Sequence, residues 1–500
     1  MKPARVWWPA VATIALAKLA IHLYCSDSYH YFRDELYFIA CGRHLDWGYV
    51  DHPPLVALYA RLGEWLGPSL RAFRLPVTIA GMLRIVLTGL ITARLGGGRI
   101  AQSLACLCVL MSSMYLAVDT ILTMNTFEHL FWLACLLIII EIANGGDERL
   151  WLLFGLSAGL GLQNKHSMAF LGFAVVVAMI ATPLRRSLTR PWFWAGGAVA
   201  LVVFLPNLIW EIRHDWATLE LLRNVKESGK NVVLTPLQFV VQQGMMLNPF
   251  LAPVWIIGLG ALLFVRDLKP YRFLAITYLV VLITFIKLEA KDYYVAGLYP
   301  VLFAAGAFLI ERWPRAVQAI VFAVVIAGGI FVAPFVLPIL SPPQFLVYAQ
   351  RFGMQDQPTE VSHTSEMPQI FADQFGWEEM VREVARIYHA LPPDIRSKTA
   401  IFGSNYGEAG AIDFYGPRYG LPPAISGHQN YYLWGPRRYT GESMIVISSR
   451  IVRTRPLYSS IEVVGGRYHR YAMPEENGPI FYCRTKEPLS RIWSNYKNWR

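Results

Sequence analysis

Runs of mostly apolar residues recur along the first two thirds of this chain, near 6–24, 76–94, 100–118, 126–143, 150–163, 167–183, 192–210, 245–265, 272–288, 295–311 and 316–338. A helix of about 17 to 25 such residues crosses the hydrocarbon layer of a bilayer, so the pattern predicts about eleven spans. The run at 150–163 is short and glycine-rich, and reads as half of a broken helix or as a tilted partner of its neighbour. After about residue 340 the pattern changes. Pro334, Pro338, Pro342 and Pro343 mark a linker, a helix is predicted over 376–390, a strand over Thr399 to Phe402, a helical stretch through about Tyr415, and a second strand over Met444 to Ile447. The prediction is a membrane domain over 1–340, with a first outer loop at 25–75, and a soluble α/β or α+β domain over 341–500.

Composition agrees with the pattern. A chain of 500 residues that is 55% hydrophobic and 16% charged, with a mean hydropathy of +0.38, is too apolar for a soluble protein of this length and excludes disorder and disulfide-scaffold classes. The net charge of +11 is first of all a topology signal rather than a nucleic-acid footprint. Lys2 and Arg5, Arg94 and Arg99, Arg149, Arg185, Arg186 and Arg190, Arg266, Lys269 and Arg272, and Arg312 and Arg315 fall on alternate connections. Those connections are expected to be cytoplasmic, which puts the N-terminus inside and the C-terminal domain outside, in the periplasm or beyond. Lys18 within the first apolar run favours a retained helix over a cleaved signal.

The first outer loop carries the most chemistry: Arg33-Asp34-Glu35-Leu36-Tyr37-Phe38, then Gly48-Tyr49-Val50-Asp51-His52-Pro53-Pro54. Adjacent carboxylates on a helix project to different sides, so one can face a reaction centre while the other binds elsewhere. Beyond the Pro-Pro turn, Leu55, Leu58, Tyr59, Leu62, Trp65 and Leu66 form a stripe opposite Arg61 and Glu64, the pattern of a helix lying in the membrane interface. Asp119, Glu128 and His129, Lys165 and His166, Glu211, Arg213, His214 and Asp215, and Lys287, Glu289, Lys291 and Asp292 are expected at the same face. A face carrying both signs suits an anionic lipid headgroup beside an acceptor to be deprotonated. Cys25 and Cys41 flank the loop and could bridge in an oxidising compartment, and no zinc-like His/Cys spacing occurs. The Gly403-Ser404-Asn405-Tyr406-Gly407-Glu408 turn lacks the Lys-Ser/Thr of a phosphate loop and reads as structural. Tyr431, Tyr432 and Trp434 either stack on sugar or pack in a core.

Asp34-Glu35, the Gly48-to-Pro54 stretch, the Asp119 loop and Lys291-Asp292-Tyr293-Tyr294 followed by Pro300 together resemble the polyprenyl-phosphate-dependent glycosyltransferases of GT-C fold, in the family 39 or PMT_2-like branch with the aminoarabinose transferases and protein mannosyltransferases. The resemblance covers about residues 5–340. It implies an α-helical polytopic membrane protein and transfer of a monosaccharide from a polyprenyl phosphate to an envelope lipid, glycan or protein, at the outer face of the plasma membrane. Asp34 is implied as general base in an inverting displacement, with Glu35 beside it. Asp51 and His52 take the place of an acidic-basic pair, with His where phosphate binding would favour Lys. Asp119 matches a second acidic position, for acceptor or sugar hydroxyls. Arg213, Lys287 and Lys291, with His214 alongside and Tyr294 as a hydrogen-bond donor, are the candidates for the leaving phosphate. No cofactor is required, and the acidic loop leaves room for a divalent cation. The competing readings are a protein O-mannosyltransferase, marked by a Ser/Thr polypeptide acceptor, and a non-enzymatic lipid-linked sugar transporter or flippase, marked by inverted repeats and midplane polar groups.

Overall fold

The computed structural model describes residues 3–229, 231–353, 365–448, 451 and 454–500, and its packing divides the chain into two compact units. The first comprises Met1–Ser28, Arg71–Trp210 and Val233–Leu340. Among the described residues, seven helices are long and apolar enough to cross a membrane: Trp8–Cys25, Leu70–Arg94, Met124–Ala143, Pro191–Arg213, Arg266–Lys287, Asp292–Ile310 and Arg315–Val336. The number rises to nine if two bent pairs, Met168–Ile180 with Pro183–Thr189 and Pro236–Leu247 with Pro249–Phe264, each count as one span. The other two of the eleven expected runs form helices of 12 and 15 residues, Arg99–Leu110 and Leu150–Asn164.

The breaks have local causes. Pro183 and Pro249 supply no N–H to continue the preceding helix. At the second bend Asn248 adopts φ +94, accepts the Phe250 N–H at 3.1 Å and donates to the Met111 carbonyl at 3.2 Å. Elsewhere in this unit small residues set helix contact. A Cβ on Gly258 would lie 1.9 Å from the Leu302 carbonyl oxygen, so Ala252–Phe264 and Tyr299–Ile310 approach backbone to backbone.

The second unit comprises Tyr29–Leu70, Glu211–Val232 and Ser341–Arg500. The first loop thus packs as part of the C-terminal unit rather than as a satellite of the spans, because its helix Arg33–Arg43 is held between Leu55–Leu66 and Tyr406–Tyr415. A four-stranded sheet of order β1-β2-β4-β3 backs this unit: β1 (Ala400–Gly403) parallel to β2 (Met444–Ile447), and β4 (Gly478–Thr485) antiparallel to both β2 and β3 (Tyr458–Arg467). The pattern predicts β1 and β2. It misses β3, an edge strand with half of its residues exposed and its register shifted near Gly465, and its partner β4. Apolar residues of the sheet, Phe402, Val446, Phe481 and Cys483 among them, pack against Leu489, Ile492 and Tyr496 as a small core. All six cysteines are free and buried, Cys25 and Cys41 included.

Candidate active site

The helix Arg33–Arg43 has Phe32 at its N-cap, and the carboxylate at the third helical position reaches back to it. Glu35 Oε2 accepts the Phe32 N–H at 2.8 Å, and the Glu35 side chain is wholly buried. Glu35 is therefore a cap of its own helix, turned into the protein. Asp34, one position earlier, points the other way and keeps 32% of its side chain exposed. Its Oδ1 accepts the phenolic O–H of Tyr406 at 2.8 Å, and Arg33 Nε lies 3.8 Å away. The same arginine reaches Asp373 at 3.5 Å and Glu475 at 3.6 Å, so one cation serves three carboxylates. Burial pushes the Asp373 carboxyl up to about 7 against the pull of Arg33.

Asp51 is held in the same manner. Its Oδ1 accepts the Tyr37 O–H at 2.8 Å, and 21% of its side chain is exposed. Burial raises this carboxyl above its ordinary value, while His52 and the Tyr37 hydroxyl oppose the rise. Tyr37 and Tyr406 pack ring against ring at a tilt of 32°, 4.8 Å between centroids, each with its hydroxyl on a different carboxylate. Burial, and then the adjacent carboxylate, pushes both phenols well above their ordinary range, so both remain O–H donors. The Asn430 side chain ties this arrangement to the loop by accepting the Val50 N–H at 2.9 Å, and its backbone N–H donates to the Tyr37 oxygen at 3.3 Å.

His52 is fully buried. Its Nδ1 bonds the Pro53 carbonyl at 2.9 Å, Nε2 lies 3.9 Å from Asp51, and the rings of Tyr37, Phe38 and Tyr49 surround it, so it supports Asp51 rather than facing a ligand. Tyr431 is likewise a core residue, donating to Asp413 at 2.8 Å, and Trp434 stacks on His44. Arg213 is exposed and His214 half-buried at the turn that ends Pro191–Arg213, where Asp215 and Trp216 adopt left-handed φ of 55 and 58.

The remaining candidates belong to the first unit. Asp119 is buried against Lys18 at 2.7 Å, Arg84 and the Thr126 hydroxyl at 2.9 Å, so protein donors occupy both of its oxygens. It braces the helices Trp8–Cys25, Leu70–Arg94 and Met124–Ala143 and offers nothing to a sugar hydroxyl, which departs from the substrate role its loop position implies. Lys287 is exposed at a helix end, and Lys291 is half-buried with its ammonium 6.0 Å from the Tyr293 ring centre. Tyr294 carries a different cation on its face: Lys165, 4.0 Å from the ring centre, which also pairs with Glu128 at 2.9 Å and donates to Asn125 at 2.8 Å. Among the described residues no three His, Cys, Asp or Glu side chains are grouped as a metal would need.

The residues that sequence reasoning missed are Tyr37, Tyr406 and Asn430. Tyr37 stands three positions after Asp34, one helical turn away, which is the only local signal of the three. The Tyr406 helix reaches Arg33–Arg43 through a close backbone approach: a Cβ on Gly410 would lie 2.9 Å from the Leu36 carbonyl carbon and oxygen. Gly410→Ala is therefore expected to destabilise this unit by about 1–3 kcal/mol, read as a lowered melting temperature in detergent.

Residues 51–210 match the family model of the dolichyl-phosphate-mannose-protein mannosyltransferases (PMT_2). That stretch includes Asp51, His52 and Asp119 and begins after Asp34. A lipid A galacturonosyltransferase, RgtD of Rhizobium johnstonii, is 27% identical over 316 residues, 58% of this chain and 63% of its own length, so the match spans less than two thirds of that relative. The crystal structure of ArnT from Cupriavidus metallidurans bound to undecaprenyl phosphate superposes with a TM-score of 0.62 at 14% identity, over 96% of this chain and 99% of that one. With the apolar helices, this makes the chain a multi-pass membrane protein of that fold.

Proposed function

On a fold shared with ArnT and a PMT_2 family-model match over residues 51–210, we propose an integral-membrane glycosyltransferase that moves a monosaccharide from a polyprenyl-phosphate donor to an acceptor in the cell envelope. The observation that carries this reading is Asp34, a partly exposed carboxylate whose one oxygen is fixed by a tyrosine hydroxyl. Beside it, the helix Leu55–Leu66 exposes Leu58, Leu62, Trp65 and Leu66, the surface of a helix seated at a lipid–water boundary. A carboxylate near that boundary meets a substrate whose sugar is in water and whose tail is in the bilayer.

The chemistry follows from those positions. An acceptor oxygen attacks the anomeric carbon while the bond from that carbon to the phosphate oxygen breaks, which inverts the configuration. Asp34 takes the acceptor's proton, and the electron pair leaves with the polyprenyl phosphate. Cations stabilise that departing charge, and Arg213, in the same unit as Asp34, is assigned to it. Asp51 orients a sugar hydroxyl. The basic connections support an N-terminus in the cytoplasm and residues 341–500 outside, where polyprenyl-linked sugars are used and nucleotide sugars are absent. The RgtD relative is a lipid A galacturonosyltransferase, so a saccharide lipid is the first acceptor to test, and a Ser/Thr polypeptide is the second.

The test is transfer by the purified protein in nanodiscs from a panel of undecaprenyl-phosphate sugars, paired with mass spectrometry of envelope lipids with and without the gene. A new sugar on a saccharide lipid is expected, and turnover is expected to persist in EDTA because the scheme draws on no metal. Donor bound or moved across the bilayer without any glycosidic product would overturn the enzyme reading in favour of a flippase.

A further inference from the structure

The hydrogen bond to Asp34 comes from a residue 372 positions away, in the C-terminal part of the chain. Three features fix that donor. Its ring lies between Tyr37, tilted by 32°, and His428, stacked, each 4.8 Å from centroid to centroid. Its backbone N–H donates to His428 Nδ1 at 3.1 Å, which makes that nitrogen an acceptor. Its helix starts in a capping box, with Glu408 N–H on Asn405 Oδ1 at 2.9 Å and Asn405 N–H on Glu408 Oε2 at 3.1 Å. Glu408 is in turn bonded by Arg467 at 2.5 Å, which also reaches Glu476 at 3.3 Å, and Glu476 accepts from the Asn405 side chain at 2.9 Å. Two glycines, Gly407 and Gly410, let this helix sit directly against Arg33 and Leu36. A surface tyrosine near a carboxylate needs none of this. A donor that must hold one geometry through a reaction needs all of it.

We propose that Tyr406 is a positioning residue of the transfer reaction, its O–H holding Asp34 Oδ1 so that Oδ2 receives the acceptor's proton. The segment 341–500 then contributes to the chemistry itself, beyond any part in recognising the acceptor. This inference rests on the assignment of Asp34 as base made above. Its physical content is twofold. The bond confines the carboxylate to one rotamer, and an O–H donated to a carboxylate favours the charged, base-competent form.

The experiment compares three full-length variants in nanodiscs: Asp34→Asn, Tyr406→Phe and Tyr37→Phe. Phenylalanine at 406 keeps the stack, the helix and the cap, and its melting temperature should stay close to that of the parent. The other groups around Asp34 are Arg33, Asp51, Asp373 and, through Arg33, Glu475, with His428 behind the Tyr406 ring, and all are retained. Tyr406→Phe is expected to lower kcat about tenfold with the donor KM within twofold of the parent. It should also move the acid limb of the kcat/KM profile upward, because the lost O–H favoured the charged carboxylate. Tyr37→Phe removes the matching hydroxyl from Asp51 and should leave that limb in place. If Asp34→Asn is inactive while Tyr406→Phe keeps the parental kcat and limb, the positioning role is refuted and the base assignment stands. A limb moved equally by Tyr37→Phe would assign the effect to loss of either hydroxyl of the ring pair and overturn the proposal. An active Asp34→Asn removes the base assignment and this inference with it.

Discussion

Asp34→Asn should reduce glycosyl transfer by about 10²- to 10⁴-fold, the contribution of a positioned general base, while leaving donor affinity within a few-fold of the parent. The substitution suits the site because asparagine keeps an oxygen for the Tyr406 hydroxyl that now lies 2.8 Å from Oδ1. Geometry is retained and basicity is lost. With 32% of the side chain exposed, no buried charge is stranded, so the loss should appear in single-turnover transfer and not in the melting curve. Glu35→Gln gives the contrast. Glu35 is buried and caps the helix through the Phe32 N–H, a bond that glutamine can also accept, so transfer should survive. If Asp34→Asn kept half or more of the parental rate, the carboxylate would have no place in the mechanism. If Glu35→Gln were the inactive variant, the roles of the pair would be exchanged.

The part of this arrangement that can be read along the chain is the part encoded locally. Apolar runs foretell most of the spans, because crossing a bilayer demands an unbroken length of such residues. The same rule overlooks Met111, where the predicted span 100–118 divides into Arg99–Leu110 and Ser113–Val118, and Asn248, where a left-handed residue turns the chain. Neither interrupts the apolar pattern. At the candidate site, Asp34-Glu35 is conspicuous as a pair, yet which carboxylate faces out is fixed by Glu35 turning in to accept the Phe32 N–H. The tie between Asp34 and Tyr406 spans most of the chain, and no periodicity reports it. Asp119 misleads for a related reason. Its partners Lys18 and Arg84 stand in apolar runs, where each alone reads as a snorkelling or topology charge, and only packing brings them onto one carboxylate.

That cluster carries the second large expected effect, this time on stability. Counting Lys18, Arg84 and Asp119, the site holds two cations and one anion, all with side chains fully buried. Asp119→Asn leaves two buried cations with no counter-charge, and breaking such a set costs about 3–5 kcal/mol. Lys18→Met leaves one cation and one anion, so it should cost clearly less even though it removes the same 2.7 Å contact. The expected order of melting temperature in detergent is therefore parent, Lys18→Met, Asp119→Asn, with yield of folded protein falling in the same sequence. The fraction of Asp119→Asn that does fold should bind donor with parental affinity, because in the parent both carboxylate oxygens are already taken by Lys18, Arg84 and Thr126. An Asp119→Asn protein that melts like the parent but shows a raised KM for donor or acceptor would return this carboxylate to the substrate.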